Sequence, residues 1–152
     1  MRDFAFIIQS EVNATKEILW QHITLMKNVN GELMPFAKMT YPQHMAEIGG
    51  REVPLQVVLF KSVILLFGFM PIDLHYLRLD KLEYGTAFYE NSYSLQHQYW
   101  KHTRTIIEHD AKVFVCDELH FGPRIFFMGY LLLPIYKMIF RHRHKQLRRY
   151  FA

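Results

Sequence analysis

Apolar and polar residues follow two different periods along this chain, and the change from one to the other marks its elements. Near the start, Phe4, Phe6 and Ile8 alternate with Ala5, Ile7 and Gln9, which predicts a strand ending near Val12. Asn13 is placed to cap a helix over residues 14–26, with Ile18, Leu19, Trp20 and Ile23 as its apolar positions. Asn28 to Gly31 should break that helix, and Pro35 limits any second one near Glu32. Residues 41–54 hold Pro42, Gly49, Gly50 and Pro54 around one short apolar turn, and read as a loop or lid.

From Leu55 the period of two takes over. Strands are expected over residues 57–69, 74–83, 86–95, 99–108 and 112–121. Pro71, Gly85 and His109-Asp110 mark their connections. Beyond Phe121 the spacing lengthens again. Leu133, Tyr136, Phe140, His144, Leu147 and Phe151 recur at threes and fours, on one face of a long helix that Pro123 is suited to open. Pro134 removes a donor within it, so the regular helix either begins near Leu133 or bends there. The predicted class is α+β: a mostly antiparallel sheet covered by the apolar face of the C-terminal helix. A chain of 152 residues fits one domain, residues 1–152, burying about 70% of its unfolded surface.

Composition adds three bounds. Aromatics reach 16%, with 13 Phe and 9 Tyr beside 8 Met, which suits a core around an irregular cavity as well as a dense one. The net charge of +4 arises at the end of the chain: removing Arg141, Arg143, Lys145, Arg148 and Arg149 leaves 4 − 5 = −1. A nucleic-acid footprint is therefore not expected. An anionic membrane or acidic partner is the candidate contact for Arg141, Lys145 and Arg148, against a merely solvated helix face. Cys116, the one cysteine, lies in a strand-like run and reads as an inert buried thiol. The N-terminal apolar run is too short for a signal peptide, so the cytoplasm is the expected compartment. Residues 55–72 and 126–140 are apolar but interrupted or short, and read as core elements.

One constellation could carry chemistry. Trp100, His102 and Arg104 share a strand face, and Phe88, Glu90 and Ser92 share the face of the preceding strand. Paired, they would set a carboxylate, an imidazole and a guanidinium beside an indole. Such a group could bind a ligand's polar head, perform acid–base work, form a buried polar network, or face solvent on the convex side. The nine histidines show no ligand spacing, and neither metal nor cofactor is expected. His144 falls on the apolar stripe, as a hydrogen-bonded core histidine would.

Several strings carry a resemblance across nearly the whole chain. They are Asn13-Ala-Thr-Lys-Glu-Ile-Leu-Trp20, Phe88-Tyr-Glu90 with Trp100-Lys-His102-Thr-Arg104, Asp117-Glu-Leu-His-Phe121 with Pro123-Arg124, and Phe140-Arg-His-Arg-His-Lys-Gln-Leu147. In this order the chain resembles the START-like (SRPBCC) superfamily of helix-grip proteins, which includes polyketide cyclase/dehydrase and lipid-transfer relatives. The resemblance implies a curved sheet gripping the closing helix over an apolar cavity. It implies binding of a small hydrophobic or amphipathic ligand there, by Phe88, Glu90, Ser92, Trp100, His102, Arg104, Tyr136 and Phe140. An enzyme of the cyclase/dehydrase type using Glu90 and His102, or a module docking through its basic helix end, are the alternatives. Fold resemblance does not choose among them.

Overall fold

The computed structural model of the chain describes residues 3–152. Seven strands form one antiparallel sheet: β1 (Phe4–Val12), β2 (Ala37–Met39), β3 (Val58–Leu66), β4 (Met70–Glu83), β5 (Ala87–Ser94), β6 (His97–His109) and β7 (Lys112–Pro123). Their order is β1-β7-β6-β5-β4-β3-β2. The sheet curls into a half-barrel, and the helix α3 (Met128–Tyr150) lies along its concave side. Helices α1 (Lys16–Ile23) and α2 (Met26–Leu33) link β1 to β2. The α+β helix-grip expectation is thus met. The α3 stripe from Leu133 to Phe151 is buried or half-buried throughout, while Arg141, Lys145 and Arg148 are exposed.

Several local expectations are corrected. The first helix is capped by Thr15, whose side chain accepts from the Ile18 N–H, and it stops at Ile23. There the Thr24 hydroxyl donates to the Trp20 carbonyl, and the Thr24 carbonyl accepts from Ile48. The segment Asn28 to Gly31 lies inside α2. Its asparagines do not compete for the backbone of the helix, because they have partners elsewhere. Asn28 donates to the His22 carbonyl, and Asn30 clasps both backbone groups of Met39. That clasp holds β2, a strand absent from the sequence reading. The segment 41–54 is docked, not free: Ile48 and Gly49 are buried, and a Cβ on Gly49 would meet Thr24 Cγ2 at 2.4 Å.

The turn assigned to Pro71 lies earlier, at residues 67–69, where Phe67 and Gly68 take positive φ of 55° and 86°. Pro71 falls within β4, beside a bulge between Ile64 and Leu65. Asp110 and Ala111, both at positive φ, close the β6–β7 hairpin as a two-residue turn. Pro123 ends β7 and does not open α3, and Pro134 sits well inside a helix that starts at Met128. Cys116 is half-buried, with burial pushing its thiol up.

Two apolar clusters fill the grip. One gathers Val12, Leu19, Ile23, Leu79, Val115 and Leu147; the other gathers Phe4, Leu119, Phe121 and Phe140. What separates them is polar, and it forms the site.

Candidate functional site

On element after element, one polar residue interrupts the inward apolar face between the two clusters. On β7 it is Asp117, between Val115 and Leu119; on β1, Ser10, between Ile8 and Val12; on α3, His144, between Phe140 and Leu147. On β6, His102 and Arg104 lie between Trp100 and Ile106. Period two on the strands and the threes and fours on the helix force these side chains inward. A polar belt therefore crosses the concave face, continuing through Glu90 and Ser92 on β5 and His75 on β4 to Ser62 on β3.

Strand register assembles it. Glu90 stands opposite His102, Ser92 opposite Trp100, and Phe88 opposite Arg104. Arg104 in turn faces Asp117 across β6–β7. All eight residues anticipated from the sequence converge on this inner face. Trp100 and Tyr136 meet edge-on at 5.1 Å, and Phe140 and Phe88 both meet the His102 ring edge-on, at 5.2 and 5.7 Å. The convex-face alternative is excluded by the burial of His102 and Arg104.

Asp117 is the hub. Its Oδ1 accepts from His102 Nε2 at 2.7 Å and from Arg104 Nε at 2.8 Å. Its Oδ2 accepts from Arg104 Nη2 at 2.9 Å and from His144 Nε2 at 2.6 Å. Four donors thus fill the carboxylate's lone-pair sites. Glu32, brought in by α2, clamps the other edge of Arg104 at 2.8 and 3.0 Å and also accepts from Arg143 Nε at 3.0 Å. Arg143 belongs by sequence to the basic run, but it is buried, three residues along α3 from Phe140 and turned toward Glu32. At the other end Glu90 Oε2 accepts from His75 Nε2 at 2.7 Å and from the Ser92 hydroxyl at 2.6 Å, with His102 Nδ1 3.6 Å from Oε1.

Three buried carboxylates, Glu32, Glu90 and Asp117, face two buried guanidiniums, Arg104 and Arg143, and the imidazole of His102. Burial alone would raise the Asp117 carboxyl, but the Arg104 charge and the bonds from His102 and His144 hold it well below its ordinary range. Burial likewise opposes ionisation of Glu90, and the imidazoles of His102 and His75 outweigh it, leaving it far below normal. Glu32 is lowered by Arg104 and Arg143 against the same burial. Burial disfavours the His102 cation, yet Asp117 and Glu90 raise its pKa overall.

These shifts predict a bounded pH range of stability. The depressed carboxylates stabilise the fold above their unfolded values, near 3.8 for Asp and 4.5 for Glu, and that share is lost as pH falls through their lower folded values. The raised His102 contributes fully below its unfolded value near 6.5, and that share is lost as pH rises through its folded value. Thermal melts from about pH 2 to about pH 9 should show loss on both sides, and His102→Gln should reduce the alkaline slope, leaving the share that the raised His120 contributes.

A second small cluster sits nearer the chain-reversal end of β3 and β4. The Tyr136 hydroxyl and His97 Nε2 share a hydrogen bond of 3.0 Å, and His97 Nδ1 lies 3.1 Å from Ser94 Oγ and 3.7 Å from Asp73. Ser62, Asp117, Glu32, Arg143, His75 and His97 were not anticipated. Asp117 was readable, as a lone acid on an otherwise apolar strand face. Among the described residues no three His, Cys, Asp or Glu side chains converge as a metal cage, and no helix is long and apolar enough to cross a membrane. Two open clefts lie away from the belt's Ser62 end. One of about 450 Å³ runs between α2 and the last turns of α3, with Glu32 in its lining; the other, of about 600 Å³, lies between the start of α1 and the β6–β7 hairpin.

Comparisons with known proteins bear on the family and the fold. A family model described as a domain of unknown function (DUF8410) matches residues 10–151. No curated protein matches the chain. Protein CV1439 from Chromobacterium violaceum superposes with a TM-score of 0.71 at 14% identity, covering 97% of this chain and 96% of that one. A START superfamily protein from Mycobacterium smegmatis gives 0.65 at 8% identity, covering 97% and 96%. DynU16, encoded in the dynemicin biosynthetic locus, gives 0.58 at 11% identity, covering 96% of this chain and 48% of that one. At such identities the likeness is one of fold, and the fold is START-like.

Proposed function

We propose that this chain, which belongs to the DUF8410 family, binds a small amphipathic ligand on the concave face of its sheet, between β3–β4 and the first half of α3. The observation that carries the reading is Ser62. Its side chain is fully buried, and among the described residues its Oγ is the buried side-chain polar atom left without a partner. Such a group costs about 1–3 kcal/mol when nothing satisfies it, and an orphan of this kind calls for an explanation. Ser62 pairs in register with His75, the last ring of the belt, so its hydroxyl ends a polar line otherwise satisfied.

The surroundings define the ligand's chemistry. Ile64 follows Ser62 on the same face and is only half-buried, outside both apolar clusters. Leu132, Ile135 and Ile139 share the flank of α3 that carries His142. His142 meets the Met34 carbonyl, and Met34 lies against Gly68 in the β3–β4 turn, so this flank faces that hairpin. An apolar tail would lie along these residues and the Trp100–Tyr136 pair. Glu90 and Asp73, both held ionised, disfavour a second anion nearby. Glu90 and Asp73 already face His75 and His97, so a cation finds no unpaired carboxylate either, and an uncharged hydroxyl, carbonyl or amide is the head that suits a hydrogen bond with Ser62.

The pair Glu90 and His102 is committed elsewhere: each is bound to a buried partner, and Glu90 is held far below the range of a poised carboxyl acid or base. This favours binding over proton transfer.

Ser62→Ala tests the reading. It should leave stability unchanged or raise it by up to about 1 kcal/mol, because a buried unsatisfied hydroxyl is removed. It should also weaken binding of a neutral amphipathic dye such as Nile red by about 3–10-fold, the worth of one hydrogen bond. Lost stability with unchanged dye affinity would mean that Ser62 is structural.

A further inference from the structure

The antiparallel topology sends the β3–β4 turn, the β5–β6 turn and the β7–α3 connection to one end of the half-barrel, and that end is apolar. Phe67 and Phe69 occupy the first, Leu95 the second, and Phe127 the third; Phe69 and Phe127 are each 69% exposed and Leu95 63%. Residues 62–72 contain no charged side chain. The three connections are tied side by side: Gln96 Nε2 donates to the Ile72 carbonyl, the Arg124 N–H to the Gln96 carbonyl, and the Arg124 guanidinium to the Ser94 carbonyl. The apolar tips therefore form one patch. The opposite end also exposes Leu55, Val57 and Tyr84, but there they are interspersed with Lys81, Glu83, Glu108, Asp110 and Lys112. Exposed aromatic and aliphatic tips brought together on three adjacent connections mark an interaction surface.

The patch continues along the outer face of α3 through the exposed Leu131 and Met138, and then turns basic at Arg141, Lys145 and Arg148. No acidic residue follows Glu118, whereas seven Lys or Arg do, and of these Arg143 is paired internally with Glu32. We infer that this end and the outer face of α3 form a docking surface for an anionic lipid bilayer. The aromatic tips and first turns of α3 enter the acyl boundary, and the later basic turns meet headgroups. Charge decides the occupant. A second copy packed on the same face by two-fold symmetry would bring one acid-free basic helix against another, whereas an anionic bilayer offers the opposite sign. This inference does not depend on the ligand reading.

Vesicle co-sedimentation tests it, using phosphatidylcholine alone and phosphatidylcholine with 30%, roughly, of phosphatidylglycerol. The wild type should bind the anionic vesicles, and binding should weaken with salt. Phe69→Glu with Phe127→Glu should reduce binding by about tenfold on a chain whose melting temperature is unchanged. Arg141→Glu with Lys145→Glu and Arg148→Glu should reduce it by a similar factor and abolish the salt dependence. Wild-type binding no better to anionic than to neutral vesicles, or unaffected by both variants, would overturn the inference. A dimer in sedimentation equilibrium that Phe69→Glu dissolves would also overturn it, by making a second copy the occupant.

Discussion

Asp117→Ala is expected to destabilise the fold by about 3–5 kcal/mol, the cost of leaving a buried charge without its partner. Arg104 is fully buried and gives three of its donor contacts to Asp117 and Glu32 on opposite edges, while His102 and His144 both direct Nε2 at the same carboxylate. The alanine strands all three cations or donors at once. A denaturant titration measures it. The second variant, Asp117→Ala with Arg104→Met, should recover a large part of the loss, because an apolar chain of similar length replaces the uncompensated charge. A single variant within about 1 kcal/mol of wild type would mean that the belt is hydrated and weak.

Phe140→Ala carries the second largest effect, about 3–5 kcal/mol. Phe140 is 3% exposed and belongs to the smaller apolar cluster. Its ring contacts Phe6 on β1 and His102 on β6, at 5.4 and 5.2 Å, and the Arg143 guanidinium lies over it at 5.0 Å. Truncation therefore opens a cavity and exposes one wall of the belt. The two losses should not add when combined, since His102 is shared between them. Full additivity in the double variant would place Phe140 outside the network.

The parts legible in sequence were those that a single period controls. Alternation on β5 and β6 aimed Phe88, Glu90, Ser92, Trp100, His102 and Arg104 inward, and the register did the rest. The α3 stripe was readable for the same reason, His144 included. The missing members fail in particular ways. Glu32 was hidden because the asparagines and glycine before it look like a helix break, and only the tertiary bonds of Asn28 and Asn30 make that segment helical. Arg143 was hidden in a basic run whose other members face water, since charge alone does not tell which side of a helix turns toward a distant carboxylate. Ser62 could not be read at all: a lone serine in the apolar run of β3 acquires meaning only from the absence of a partner around it. Proline was overread twice, at Pro71 and Pro123, because a strand end accepts it as readily as a turn or a helix start does.

On the reading proposed above, the orphaned end of the belt, rather than either open cleft, receives a ligand. The most direct measurement is a backbone amide NMR titration with a neutral long-chain amide. Saturable shifts are expected, concentrated at Ser62, Ile64 and His75 on the sheet and at Leu132 and Tyr136 on α3. Shifts confined to His22, Gln146 and Tyr150, around the cleft between α2 and the end of α3, or no saturable shifts at all, would contradict it.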